Sequence, residues 1–81
     1  MKPNVKIYSK KYCPYCVKAK HFFDDKGIPY EEIDVTSDLE QLEALKKMTQ
    51  HLTVPQIFIN GQFIGGYTDL IDAARTGKIK F

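Results

Sequence analysis

The dipeptide Asn60-Gly61 lies between two short apolar runs, Gln56-Ile57-Phe58-Ile59 and Gln62-Phe63-Ile64. Asn-Gly favours the two-residue turn whose positive φ angles match the twist of two paired strands. The dipeptide therefore predicts an antiparallel hairpin. Any sheet that this chain builds must accommodate that antiparallel pair.

The first half of the chain predicts a strand, a helix and a second strand. Val5-Lys6-Ile7-Tyr8 alternates apolar and polar side chains, and Tyr30 to Val35 forms a second strand-like run with Ile33 and Val35 on one face. Between them, a helical pattern begins at Pro14 and ends at Gly27. Its apolar members are Val17, Ala19, Phe22 and Phe23. Two strands joined through a helix require a parallel, right-handed crossover.

Two further helices are predicted. Ser37-Asp38-Leu39-Glu40 has the spacing of a capping box and precedes a stripe that is expected to face the core. The members of that stripe are Leu39, Leu42, Leu45 and Met48. After Gly65-Gly66, a last helix begins at Tyr67 or Thr68 and ends at Gly77. Its apolar residues are Leu70, Ile71, Ala73 and Ala74.

This order of elements defines the fold class. A parallel crossover followed by an antiparallel hairpin predicts an α/β fold with one four-stranded mixed sheet flanked by three helices. The order is βαβαββα, and the arrangement is thioredoxin-like.

Length and composition limit the function classes. The 81 residues, 43% hydrophobic and 27% charged, predict a single domain over residues 1–81. A net charge of +2 is too small to indicate nucleic acid as a partner. No run approaches the ~18 apolar residues of a membrane span, and no signal-peptide core follows Met1-Lys2-Pro3-Asn4. We expect a monomer that works in the cytoplasm.

Cys13 and Cys16 are the residues most suited to chemistry. A helix entrance stabilises an anion through its free N–H groups, and Lys10 and Lys11 add positive charge just upstream. Cys13 is therefore expected to carry the thiolate, and Cys16 to be buried and less acidic. With two residues between them, Cys16 can attack a mixed disulfide that forms on Cys13.

Two other interpretations of the cysteine pair are weaker. A zinc site needs two further ligands, and the histidines are His21 and His51, both expected on the surface. His21 follows Cys16 by five residues in the same helix and would point away from both sulfurs. Two inert, buried thiols would not explain Pro14 and the lysine-rich approach to the helix. No metal is expected.

Three motifs in the correct order carry a resemblance to a known family. Cys13-Pro14-Tyr15-Cys16, Thr53-Val54-Pro55 and Gly65-Gly66-Tyr67-Thr68-Asp69 resemble the active-site tetrapeptide, the cis-proline segment and the glycine-pair motif of dithiol glutaredoxins. The resemblance runs from Val5 to about Gly77. It implies a glutathione-dependent thiol-disulfide oxidoreductase that reduces protein disulfides and removes glutathione from proteins.

The resemblance also implies roles for individual residues. Cys13 would be the nucleophile and Cys16 the resolving thiol, with Lys10 and Tyr15 beside bound glutathione. In the Thr53-Val54-Pro55 segment, Val54 would pair its backbone with the cysteine part of glutathione, next to a cis bond at Pro55.

The glycine-pair motif would hold the other end of glutathione. Thr68 and Asp69, at a helix entrance, would bind the γ-glutamyl group, although simple helix capping is an alternative that can coexist. Gly65 and Gly66 would either form a tight turn or also let the ligand approach closely. Where many relatives carry Arg or Lys for the glycyl carboxylate, this chain has Gln50-His51-Leu52, and the sequence does not decide between Gln50 and His51.

Other functions within the resemblance are disfavoured. Some relatives hold an iron-sulfur cluster between two subunits, usually with glycine at the position of Pro14 and without a second cysteine. A non-catalytic binding module would not need both thiols. The expected partners are glutathione and disulfide-bonded or glutathionylated proteins, with ribonucleotide reductase as one candidate.

Overall fold

The computed structural model describes residues 3–79 and contains the seven predicted elements in the predicted order. They are β1 (Val5–Ser9), α1 (Pro14–Asp25), β2 (Glu31–Asp34), α2 (Leu39–Thr49), β3 (Gln56–Ile59), β4 (Gln62–Gly65) and α3 (Tyr67–Thr76). The prediction of one domain over residues 1–81 includes residues 1–2 and 80–81, which lie outside the described part, and it stays a prediction.

The sheet has the order β2-β1-β3-β4 and is mixed, as predicted. Strand β1 pairs in parallel with β2 and antiparallel with β3, so that Ile7 lies opposite both Glu32 and Ile57. The turn between β3 and β4 has positive φ angles at Asn60 and Gly61, 53° and 81°. The Asn-Gly dipeptide therefore forms the hairpin that its sequence indicates.

The two faces of the sheet carry different helices. On one face, alternate strand residues join side chains of α1 and α3 in the main apolar cluster. Its members are Val5, Ile7, Ala19, Phe23, Ile28, Ile57, Ile59 and Leu70. Gln56 precedes Ile57 and so points to the opposite face, where it accepts a 2.8 Å hydrogen bond from Thr49 of α2. This arrangement of helices around a mixed sheet confirms the predicted α/β architecture.

The prediction for α2 is wrong in two respects. The residue that caps the helix is Asp38 rather than Ser37, because Asp38 Oδ1 accepts the Gln41 N–H at 3.0 Å. Leu42 and Leu45 are buried, but Leu39 and Met48 are each 67% exposed. Residues three apart lag by about 60° on a helix of 3.6 residues per turn, so a stripe with this spacing drifts around the helix. Only its two central members face the core.

The boundaries of β2 also differ from the prediction. The strand covers Glu31–Asp34, with Tyr30 and Val35 just outside it. Val35 is nevertheless fully buried, and its N–H donates a 2.8 Å hydrogen bond to Ser9 O. The last helix begins at Tyr67 and is followed by Gly77 in the left-handed region, as predicted.

Alanine substitutions along α2 test this correction. Leu42→Ala should lower the free energy of unfolding by about 2–5 kcal/mol, since it empties a buried site. Leu39→Ala, on the same helix, should change it by less than about 0.5 kcal/mol. Urea unfolding followed by circular dichroism measures both. Equal losses would mean that the whole stripe contributes to the core.

Candidate active site

Cys13 is the N-cap residue of α1. Its Sγ accepts the backbone N–H of Cys16 at 3.3 Å, and Pro14 occupies the first helical position. Tyr12, with a φ angle of 58°, turns the chain from β1 into the helix and leaves its own ring fully open to solvent. The sulfur of Cys13 therefore lies where the backbone N–H groups of the helix point, and this position favours a negative charge.

The two thiols lie in different environments. Cys13 is half-buried, whereas Cys16 is 1% exposed. Burial, followed by the hydrogen bond to Cys13, raises the pKa of the Cys16 thiol to about 12, although a backbone hydrogen bond from Lys10 acts in the opposite direction. Cys16 is thus protonated at neutral pH, as expected of a buried second thiol.

The Thr53-Val54-Pro55 segment lies against Cys13. The Val54-Pro55 peptide bond is cis, as the family resemblance implies. Cys13 Sγ and Val54 O are 3.8 Å apart, at which distance the thiol can donate a weak hydrogen bond to the carbonyl oxygen. This contact joins the loop before α1 to the loop before β3.

A cavity of about 230 Å³ opens beside this contact. It is lined by Tyr15, His51, Thr53, Val54, Pro55, Gly66, Tyr67, Thr68 and Asp69. Seven of the eight predicted glutathione-binding residues are in this lining. The eighth, Lys10, lies outside it in the loop that leads to Cys13.

A larger cleft of about 640 Å³ lies between β4 and α3. Val54, whose carbonyl oxygen contacts the Cys13 sulfur, lines the smaller cavity and not the larger cleft. We therefore take the smaller cavity as the candidate active site.

The glycine pair is built around Asp69. Asp69 Oδ2 accepts the Gly66 N–H at 2.9 Å and so caps α3. Gly65 has a φ angle of +122°, and a Cβ there would come within 2.4 Å of the same Asp69 oxygen. A glycine is required at this position, both for the backbone and for the side chain that caps the helix. The tight turn and the capping role are thus both present.

His51 is half-buried, whereas His21 is exposed, as expected of a surface residue. His51 Nε2 lies 3.2 Å from Thr53 Oγ1, and its ring packs against Phe63 with centroids 5.6 Å apart. Buried Gln56 fixes the His51 backbone through a hydrogen bond of 2.5 Å to its carbonyl oxygen. The sequence held no signal for the partial burial of His51, because its contacts come from residues of separate segments of the chain.

The Gln50 side chain contacts the end of α2 and does not line the cavity. The residue adopts a left-handed conformation at the end of α2, and its Nε2 donates to Lys47 O at 2.8 Å. His51, by contrast, lines the cavity.

Sequence analysis missed Tyr67 as a lining residue. Its ring lies 6.1 Å from that of Tyr15, and the Lys18 ammonium lies 5.2 Å from the Tyr15 ring centre and 6.0 Å from that of Tyr67. Tyr67 is the central residue of the glycine-pair motif, and that position could have indicated it. Two neighbouring aromatic rings therefore line the site, and a cation outside the lining contacts both of them.

Within residues 3–79, no group of three or more His, Cys, Asp or Glu side chains is placed to hold a metal ion. No helix of the same range is long and apolar enough to cross a membrane.

The fold and the site together define a dithiol oxidoreductase with a thioredoxin-like fold, and comparison with known proteins identifies the family. The glutaredoxin family model matches residues 5–64. The chain is 43% identical to glutaredoxin 3 of Escherichia coli K12 over 67 residues, 83% of this chain and 81% of that protein. It is 45% identical to glutaredoxin 1 of Rickettsia prowazekii over 76 residues, 90% of this chain and 79% of the relative.

Solved structures agree with the sequence comparisons. The crystal structure of the buckwheat glutaredoxin-glutathione complex matches with a TM-score of 0.86 and 34% identity, over 94% of this chain and 72% of that one. Glutaredoxin 1 from Francisella tularensis, complexed with cacodylate, matches with a TM-score of 0.80 and 33% identity over 96% and 99% of the two chains. The chain belongs to the glutaredoxin family and is a glutathione-dependent thiol-disulfide oxidoreductase.

The difference between the two thiols predicts selective alkylation. Iodoacetamide at neutral pH should modify Cys13 roughly a hundredfold faster than Cys16, since Cys16 is buried and, with a pKa of about 12, is almost entirely protonated. Mass spectrometry of peptides from the folded chain measures the two rates, and the unfolded chain serves as the control in which both thiols react. Equal rates in the folded chain would contradict the assignment of roles.

Proposed function

We propose that glutathione binds in the cavity beside Cys13, with its sulfur against Cys13 Sγ. The contact between Cys13 Sγ and Val54 O supports this most directly, because it brings the reactive sulfur to the edge of the cavity. The similarity to the buckwheat glutaredoxin whose structure contains glutathione adds support. Three groups of residues would then recognise the three parts of the tripeptide.

The cysteine part of glutathione would lie along Val54. The backbone N–H and C=O of this residue would pair with the ligand as neighbouring strands do, and this pairing would hold the ligand sulfur close to Cys13. Thr53 and Pro55 flank Val54 in the lining and would shape this part of the site. Tyr15 also lines the cavity and would cover the bound tripeptide.

The γ-glutamyl part would lie at the beginning of α3. The backbone N–H groups of the first turn, together with Thr68, would bind its carboxylate. One oxygen of Asp69 already caps the helix. The second oxygen would accept a hydrogen bond from the γ-glutamyl ammonium. Gly66 would allow the ligand to approach this end closely.

The glycyl carboxylate would be bound by His51 and not by Gln50. His51 lines the cavity and is held by Thr53 and Gln56, while the Gln50 amide is directed to the end of α2. Lys10, just upstream of the nucleophile, would add positive charge on the approach of this anionic ligand.

The catalytic cycle on a glutathionylated protein would need Cys13 alone. The Cys13 thiolate attacks the glutathione sulfur, the mixed disulfide breaks, and the protein leaves as a thiolate that takes a proton from solvent. The thiolate of a second glutathione then attacks the glutathione sulfur on Cys13. Oxidised glutathione leaves, and the Cys13 thiolate is restored.

A protein disulfide would need both cysteines. Cys13 attacks one sulfur and remains joined to a bulky partner, which Cys16 releases by attacking Cys13 Sγ. The resulting Cys13-Cys16 disulfide is reduced by two glutathione molecules. Glutathionylated and disulfide-bonded proteins would be the substrates, with ribonucleotide reductase as one candidate, and the chain would act as a cytoplasmic monomer.

Two serine variants test this division of roles. Cys13→Ser should abolish both activities, since it removes the nucleophile. Cys16→Ser should keep deglutathionylation and lose protein-disulfide reduction at least about tenfold, because the adjacent thiol acts at high effective concentration. Both variants are assayed with a glutathionylated peptide and a disulfide-bonded protein at one glutathione concentration. If Cys16→Ser is folded but inactive on the glutathionylated peptide, a strictly dithiol mechanism must replace this one.

A pair of alanine variants tests the glycyl subsite. His51→Ala should raise the KM for a glutathionylated peptide by about 3- to 10-fold, as expected for the loss of one hydrogen bond to a charged group. Gln50→Ala should change it less than about twofold and serves as the matched control. Neither variant should impair attack on a small synthetic disulfide without a glycyl carboxylate. A larger effect of Gln50→Ala would assign the subsite to Gln50.

A further inference from the structure

An ion pair lies one helical turn beyond the buried thiol. Lys20 follows Cys16 by four residues on α1, which places both side chains on the same side of the helix. Lys20 Nζ lies 2.9 Å from Glu32 Oε2 on β2. Ser9, at the end of β1, is 1% exposed and donates a 2.7 Å hydrogen bond from Oγ to the same carboxylate oxygen. Two donors from different elements therefore hold one carboxylate between the sheet and α1.

Both members of the pair are charged at neutral pH. The hydrogen bonds from Ser9 and then Lys20 lower the pKa of the Glu32 carboxyl. The hydrogen bond to Glu32 raises the pKa of the Lys20 ammonium. Tyr30 and Asp34, which also act on this group from the β2 segment, do not reverse either direction. Glu32 is therefore a poor base for a thiol proton, and Lys20 acts as a fixed positive charge.

A positive charge near Cys16 would favour the Cys16 thiolate when it attacks the mixed disulfide on Cys13. In the reduced chain, its pKa of about 12 has burial as the main cause, but the hydrogen bond to Cys13 and the charge of Cys13 contribute to it. Both of these contributions disappear when Cys13 is joined to a partner through a disulfide. The backbone hydrogen bond from Lys10 and the charge of Lys20 then remain to favour the Cys16 thiolate against burial.

We propose that Lys20 is a positioning residue for the resolving step, in which its ammonium, held by the Glu32 carboxylate that Ser9 fixes in turn, stabilises the Cys16 thiolate as it attacks Cys13. The Cys16 proton goes to solvent, the Cys16-Cys13 bond forms with the electron pair of the thiolate, and the bond from Cys13 to the partner sulfur breaks. The partner leaves as a thiolate and is protonated by solvent. The proposal rests on the resolving role of Cys16 in the proposed function.

The reactivity of Cys16 separates this electrostatic role from a structural one. In a Cys13→Ser chain, the fraction of Cys16 present as thiolate is compared between variants through its rate of alkylation by iodoacetamide at one neutral pH, at which all variants are folded and Lys20 is charged. Lys20→Met should lower this fraction about threefold to tenfold, because a positive charge is lost, whereas Lys20→Arg should preserve it. Glu32→Gln should raise the fraction, because a negative charge is lost while Lys20 stays.

Opposite directions for Lys20→Met and Glu32→Gln are the decisive outcome. A pair that only braces α1 against the sheet would give shifts in the same direction, or no shift, and either result would overturn the proposal. Lys47→Met removes the charge of an exposed lysine on α2 and is the matched control. It should leave the Cys16 thiolate fraction within about twofold of that of the parent chain.

Kinetics distinguishes failure of this proposal from failure of the proposed function. With both cysteines present, Lys20→Met should slow protein-disulfide reduction about threefold to tenfold, and Glu32→Gln should not slow it. In a chain that also carries Cys16→Ser, Lys20→Met should change the residual rate of protein-disulfide reduction no more than Lys47→Met does in the same background. A full effect of Lys20→Met without Cys16 would contradict the proposal, while full activity of Cys16→Ser on protein disulfides would contradict the proposed function instead.

Discussion

The site depends on the contact between Cys13 and two backbone groups from different parts of the chain. The Cys16 N–H donates to Cys13 Sγ from within α1, and Val54 O lies 3.8 Å from the same sulfur on the far side. The first contact places the sulfur at the free N–H groups of a helix entrance, where a negative charge is favoured. The second, in which the protonated thiol is the donor, places Cys13 beside the loop that forms one wall of the cavity. The Cys13 sulfur therefore lies both at a helix entrance and beside the cavity.

Hydrogen bonds hold the cavity walls in place. Gln56, fully buried at the start of β3, donates to His51 O and accepts from Thr49 Oγ1, so that the end of α2 and the loop before Pro55 are both bonded to β3. On the other side, Asp69 caps α3 and leaves room only for a glycine at position 65. Such supporting contacts keep a binding site close to its working geometry before the ligand arrives.

Sequence alone predicts the elements that have local causes. Pro14 at a helix entrance and Asn60-Gly61 in a hairpin each specify their own conformation, and the mixed character of the sheet follows from one parallel crossover and one antiparallel hairpin. Prediction from sequence fails where contacts between distant residues determine the structure. The exposure of Met48 depends on the rotation of α2 against the sheet, and the partial burial of His51 depends on Phe63 and Gln56. The lining residues could be predicted only through their resemblance to family motifs.

The central claim is that glutathione joined to Cys13 occupies the cavity between Val54 and the start of α3. The most direct measurement compares backbone amide chemical shifts of the Cys16→Ser chain before and after glutathione is attached to Cys13. We expect large changes in chemical shift at His51, Val54, Gly66 and Thr68, and small changes at Arg75 and Thr76 in the cleft between β4 and α3. Changes confined to the neighbours of Cys13, or centred on that cleft, would contradict this claim.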